Sequence, residues 1–238
     1  MKVPVFILSF NRLACLRQLI AWLESAELAE PVIVDNGSTY LPLLDWFDSM
    51  RNAIAIRRFD DNYGPYRVWD QRLFASDTGA DQPFYVVTDP DVVPIEECPK
   101  DVIPRLIEAW HELRRPKIGL SLRLGTIPDT LPHGGEIRRW EETLQSRELP
   151  RPARHGGGAP LRCYDSLLDT TFQVNHRDVL PPSHGSEGVR LAHPYQADHL
   201  GWQIDPQRLS EEDEFYWRTS SDRASTIQGL RNRGVGPR

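Results

Sequence analysis

Val3-Pro4-Val5-Phe6-Ile7-Leu8-Ser9-Phe10 is almost unbroken apolar sequence, and Asn11-Arg12 follows it. A short apolar run without alternation suits a parallel strand buried on both faces. Beyond it Leu13, Leu16, Leu19, Ile20 and Leu23 recur at spacings of three and four, the pattern of a helix with one buried stripe, which Asn11 is placed to cap. Pro31 closes that segment. Val32-Ile33-Val34 then reads as a second strand, ending on Asp35-Asn36-Gly37-Ser38, a strong turn signal. Residues 41–50 read as a helix and 53–58 as a third strand. A β-α-β-α-β order predicts an α/β fold, a mostly parallel sheet flanked by helices.

Working outward, Asp61-Asn62-Tyr63-Gly64-Pro65 is a turn, followed by a helix to about Ala75. Residues 83–88 form another buried strand that runs into Asp89-Pro90-Asp91. Helical periodicity covers 102–114, and strand character covers 118–124. From 125 to 162 the pattern weakens among prolines, Gly134-Gly135 and Gly156-Gly157-Gly158, which predicts a long, partly mobile excursion and not a linker between domains. Strand character returns at 170–175 and 189–192. A last helix starts at Ser210, with Asp213 in place to complete a capping box. Residues 1–231 are therefore expected to form one domain with halves 1–95 and 96–231, and 232–238 a frayed tail.

The 238 residues are 39% hydrophobic and 26% charged, enough apolar side chain for a packed core. Thirty-four acidic against 28 basic residues give a net charge of −6, which argues against nonspecific nucleic-acid binding. Cys15, Cys98 and Cys163 stand apart with no CxxC pair, as in a reducing compartment. No apolar run reaches about 18 residues, so no spanning helix is expected, and the opening strand leaves no room for a secretory leader. The expected location is the cytoplasm, free or peripheral at the inner membrane face.

Asp89-Pro90-Asp91 is the feature with most chemistry. In a parallel sheet, ligands collect beyond the carboxyl ends of strands. Two carboxylates two residues apart repel unless a cation lies between them, and hard oxygen ligands favour Mg2+ or Mn2+. The plainer alternative is a solvated, Asp-rich turn. Ser9-Phe10-Asn11-Arg12, Asp35-Asn36-Gly37-Ser38 and Asn62-Tyr63-Gly64 end or follow neighbouring strands, so all would ring one pocket with the acidic pair. Taken in this order, over roughly the first 95 residues, these elements resemble a glycosyltransferase of the GT-A fold, in the broad family-2-like group.

That resemblance implies a nucleotide-sugar donor of the UDP or GDP type and a saccharide or glycoconjugate acceptor. It would set Asp35 against the base or ribose, Ser9 on the pocket floor, and Asn11, Arg12, Asn62 and Gly64 along the donor. Asp89 would lie near ribose and metal, and Asp91 on the metal itself. The metal would offset the charge that grows on the departing nucleoside diphosphate. Asp169-Thr170-Thr171-Phe172 is similar to a segment of bacterial transferases of this type. An inverting enzyme needs a carboxylate to take the acceptor proton, with Asp169 the first candidate and Asp165 the second, although the plain Glu-Asp base motif is missing. His199, or else His193, would complete the metal shell, and Trp202 could stack on a sugar. Trp140-Glu141-Glu142 and the basic stretch 151–162 could reach donor or acceptor.

Two other readings compete. Asp89-Pro90-Asp91-Val92 also fits the haloacid-dehalogenase phosphatase pattern, with Asp89 as nucleophile and Asp91 as acid, but that motif belongs on a first strand and three strand-like segments precede it here. A non-catalytic sugar-nucleotide-binding relative would keep the pocket without metal or base, against which stands the presence of both aspartates.

Overall fold

The computed structural model describes residues 1–131, 133–150, 160–179 and 186–220, together with Ile227 and Arg231. In β1 (Val3–Ser9) every residue is buried. Val5 and Ile7 face one apolar cluster while Phe6 and Leu8 face another on the opposite side, which is why the run lacks alternation. Parallel to β1 lie β2 (Ala29–Asp35) and β4 (Phe84–Thr88), and β3 (Ala55–Arg58) is parallel to β2. The connecting helices are α1 (Leu13–Leu23) and α2 (Leu41–Met50). Between β3 and β4 come two short helices, α3 (Arg67–Asp70) and α4 (Phe74–Asp77), where the sequence suggested one. Arg72, at a left-handed φ of 47°, separates them.

The second half contributes β5 (Val92–Pro94), α5 (Val102–Leu113), β6 (Ile118–Leu122), α6 (Gly134–Leu144), β7 (Cys163–Leu168), β8 (Gln173–His176), β9 (Ser186–His199), a 3-10 turn (Leu200–Gln203) and α7 (Glu211–Thr219). The sheet order is β3-β2-β1-β4-β8-β6-β9-β5, with β7 also paired to β9. Parallel order holds for β3-β2-β1-β4. Beyond it the sheet is mixed, since β4–β8, β6–β8, β5–β9 and β7–β9 are antiparallel. The chain therefore steps from β1 to β2 and β3 on one side, then returns to β4 on the other side of β1. The carboxyl ends of β1 and β4 are therefore the switch point of the sheet, the place where ligands of open α/β folds bind.

Three expectations change. The excursion 125–162 holds the regular helix α6, anchored where Glu141 accepts from Arg190 on β9 at 2.7 Å with both side chains almost wholly buried; residues 151–159 of the basic stretch lie outside the described residues. Strand β7 was unforeseen because its inward and outward positions do not alternate cleanly. Asn11 does not cap α1. Its backbone takes a left-handed φ of 52°, and its side-chain carbonyl accepts from the Thr39 and Tyr40 amides at 2.7 and 3.0 Å, at the entry to α2. The capping box of α7 forms as expected, with Ser210 and Asp213 bonding each other's backbone N–H. The tail 232–238 lies outside the described residues.

Removing one partner of a fully buried ion pair strands the other charge, at about 3–5 kcal/mol. Glu141→Gln should therefore lower the melting temperature sharply. The double replacement Glu141→Leu with Arg190→Met should recover most of the loss, as differential scanning calorimetry would show.

Candidate functional site

Three turns meet at the carboxyl ends of the parallel strands. The Ser38 hydroxyl donates to Asp35 and accepts the Asn11 N–H at 2.9 Å, the Asn36 N–H donates to the Ser9 carbonyl at 2.9 Å, and the Asn36 amide donates to the Gly64 carbonyl at 3.2 Å. Gly37, at a φ of +72°, lies so close to the next turn that a Cβ would come within 2.8 Å of the Asp61 Cα. Asn62 folds its own turn by accepting from the Gly64 N–H at 2.9 Å. Ser9, Asn11, Asp35, Asn62 and Gly64 are thus gathered as the sequence suggested. Asp35 is fully buried and its oxygens are engaged locally, accepting from Ser38 and, at 3.0 Å, from Arg58 Nε. Arg58 had no signal in the sequence beyond its place at the end of β3.

Across the switch point, Arg12 Nη1 stands 3.8 Å from Asp91 Oδ2. This contact joins the β1 loop to the acidic pair after β4. Strand β9 brings in a third element: Val92 pairs with His199, and the Leu200 N–H donates to the Asp91 carbonyl at 2.8 Å. His199 Nδ1 lies 3.7 Å from the same Asp91 oxygen and is buried without a hydrogen-bond partner. The imidazole stacks flat on Trp202, with ring centres 4.3 Å apart, so Trp202 orients the histidine. A Cβ at Gly201 would displace the Asp91 carboxylate from this position. His193 is exposed.

The segment before β8 supplies the fourth side. Thr170 Oγ1 donates to Asp89 Oδ2 at 2.6 Å, and the Asp89 N–H donates to the Thr170 carbonyl at 3.0 Å. The Thr170 N–H donates to Asp169 Oδ1 at 2.7 Å. One threonine therefore ties the two carboxylates together. Burial pushes the Asp89 carboxyl well above the usual range, and the nearby charges of Asp91 and Asp169 push it further. Burial also raises Asp169, against the Thr170 amide and the positive charges of Lys117 and His199. Lys117, itself lowered by burial, is fixed with its ammonium donating to the Leu168 carbonyl at 3.1 Å. Asp165 is not brought to this cluster. It lies on β7 and pairs with Arg115 at 3.3 Å and Arg147 at 3.7 Å. Glu141 is consumed by its pair with Arg190, and Trp140 is largely exposed.

The donor set suits a hard divalent cation in part. An unpartnered imidazole nitrogen and a carboxylate oxygen converge, which is what a metal that keeps waters and substrate phosphates among its ligands requires from a protein. Among the described residues no three His, Cys, Asp or Glu side chains are gathered closely enough to hold a metal by themselves. Asp89, its oxygen engaged by Thr170, stands behind the pair. All three cysteines are buried, and burial lifts the Cys15 and Cys98 thiols to about 12, so neither is a nucleophile at neutral pH. Among the described residues no helix is long and apolar enough to cross a membrane.

No protein-family model matches the chain, and no curated protein matches it. Solved structures do resemble it. Against S. aureus TarS 1-349 the TM-score is 0.47 at 16% identity, over 74% of this chain and 47% of that one. The mannosyltransferase PcManGT from Pyrobaculum calidifontis, solved with GDP-Man and Mn2+, gives 0.40 at 14% identity over 52% of this chain and 36% of its own. A 4-diphosphocytidyl-2C-methyl-D-erythritol synthase gives 0.36 at 12%, over 100% of this chain and 88% of that one. The chain thus spans about half of the TarS fragment and about a third of the mannosyltransferase.

A carboxyl whose folded-state pKa is raised binds its proton more tightly in the folded protein. It therefore weakens the fold once the pH exceeds the unfolded value, near 3.9 for aspartate. Asp169→Asn should raise the melting temperature at pH 7, and the gain should vanish as the pH falls toward about 4. An unchanged or lowered melting temperature at pH 7 would show that the Asp169 charge is supported by its surroundings.

Proposed function

We propose that the chain is a GT-A-type glycosyltransferase which moves a sugar from a UDP- or GDP-type nucleotide to a saccharide or glycoconjugate acceptor, with a divalent cation and with inversion. The observation that carries this reading is the convergence of Arg12, Asp91, His199, Asp89 and Asp169 beyond the carboxyl ends of β1 and β4. A site for an anionic, metal-bridged diphosphate needs hard ligands and a cation at a switch point, and this convergence brings both together.

In this reading Asp91 and His199 would hold Mn2+ or Mg2+, and the bound cation would stabilise negative charge on the diphosphate as it leaves. Arg12 would neutralise the same group from the β1 side. The turns built by Asn11, Asp35, Asn62 and Gly64 would shape the slot for base and ribose. Their own hydrogen bonds already satisfy most of their polar atoms, so they would recognise the nucleotide through backbone and shape. Asp169 would accept the acceptor hydroxyl proton as its oxygen attacks the anomeric carbon and the bond to the diphosphate breaks. A carboxylate raised by burial is a stronger base than one in water, which suits that task. Thr170 would hold it beside Asp89 at the donor. Asp165, held by two arginines on β7, would not take part. One domain over 1–231 and a cytoplasmic setting belong to the same proposal, the first supported by the one sheet to which both halves contribute strands.

Asp91→Ala should abolish Mn2+-dependent turnover of the donor while the chain stays folded, with a lower melting temperature because the buried Arg12 loses a partner. Asp169→Asn should lower kcat at least about a hundredfold with little change in KM for the donor. The donor class can be read beforehand from thermal shifts with UDP, GDP, CMP and dTDP, with and without Mn2+, because a ligand of the native state raises its stability by mass action. A panel with no response to any nucleotide would refute the reading.

A further inference from the structure

Helix α7 belongs to the site, although it lies some two hundred residues along the chain from the loop it covers. Both Glu212 carboxylate oxygens accept from the Ala14 N–H, at 3.2 and 3.1 Å, so a side chain of α7 caps α1. Helix α1 has no side-chain cap from its own N-cap residue, and its open N–H groups would otherwise favour an anion from solvent. The same Glu212 carboxylate stands 3.9 Å from Arg12 Nε. Tyr216, one turn further on, lies beneath the Arg12 guanidinium at 4.8 Å from its carbon to the ring centre. Two more contacts fasten the helix: Asn11 Nδ2 donates to Thr219 Oγ1 at 3.0 Å, and Phe215 packs on Tyr40 with ring centres 5.1 Å apart.

Arg12 is thus held on three sides, by Asp91, Glu212 and Tyr216, and only 6% of it is exposed. Its Nε has no hydrogen-bond partner, and both carboxylate distances exceed a direct hydrogen bond. The guanidinium is confined in place, with Nη1 toward Asp91 and the unpartnered Nε toward Glu212. A buried arginine with donors in reserve is suited to a further anion, for which its planar fork gives two parallel bonds.

We infer that Glu212 and Tyr216 are positioning residues for the transfer reaction, and that through them α7 forms a wall of the donor site which holds Arg12 aimed at the diphosphate. The inference rests on the proposed donor site for the identity of the anion, but the coupling of α7 to the β1 loop does not depend on it. Opening α7 would free Arg12 and uncap α1 together, so the helix and the donor pocket should tighten as one unit.

The test combines nucleotide binding with hydrogen exchange in the full chain. Glu212→Ala and Tyr216→Leu should each weaken binding of the nucleoside diphosphate that stabilises the wild type, by about tenfold or more by calorimetry with Mn2+, and should raise donor KM more than they lower kcat. Glu212→Gln, which keeps an acceptor for the Ala14 N–H, should restore protection there without restoring full binding. If these residues act through Arg12, then Arg12→Met combined with Glu212→Ala should lose no more binding than Arg12→Met alone. Additive losses, or wild-type binding in Glu212→Ala, would overturn the inference. Should the wild type bind none of the nucleotides, the donor reading fails, and the coupling is decided by exchange. Lost protection across 11–15 in Glu212→Ala supports it, and retained protection overturns it.

Discussion

The contact between Arg12 and Asp91 is the constraint around which the site is arranged. It spans the switch point, where the chain leaves β1 in one direction and comes back as β4 in the other, so nothing in the local sequence of either strand brings the two residues together. A buried guanidinium and a largely buried carboxylate are each costly to remove from water. Placed together at the carboxyl end of a parallel sheet, they offset each other and remain available to a ligand of either sign. The surrounding turns serve to hold this arrangement. Asn11 and Ser38 fix the β1 and β2 ends to one another, Gly37 lets the third turn approach, and Gly201 leaves room for the Asp91 carboxylate.

The second half of the chain supplies what the first lacks. Strand β9 delivers His199 to Asp91, the segment before β8 delivers Asp169 and Thr170 to Asp89, and α7 closes on Arg12. Each arrives on an element antiparallel to, or remote from, the parallel core. Three acidic groups and their cationic neighbours are therefore packed into one recess, and the raised Asp89 and Asp169 carboxyls are the electrostatic consequence. Sites of this kind commonly store unfavourable charge that function later uses.

The sequence was most legible where local physics decides the outcome. The apolar runs of β1 and β4 and the 3.6-residue periodicity of α1 and α5 gave those elements closely, because burial on known faces leaves few options, whereas β2 starts at Ala29 and takes in Pro31, ahead of the apolar run that marked it. Ser210 and Asp213 gave the start of α7 because a capping box is a local device. Asp89 and Asp91 were readable from their position at a strand end, and His199 came only with the family resemblance. What stayed hidden depends on contacts distant in sequence. Asn11 looked like the cap of the helix it precedes, yet it bonds the entry to α2 while Glu212 caps α1. Strand β7 showed no clean alternation, α6 lay among glycines and prolines that masked its stripe, and Arg58, Thr170 and Tyr216 became legible as site-building residues only once their partners were known.

Diffraction at the manganese absorption edge, from crystals grown with Mn2+ and the stabilising nucleoside diphosphate, measures the central claim most directly. The account requires one anomalous peak between the Asp91 carboxylate and His199 Nδ1, with the diphosphate oxygens on its open side and Arg12 against them. A nucleotide bound at the switch point with no peak there, or a peak bound elsewhere on the protein, would contradict it.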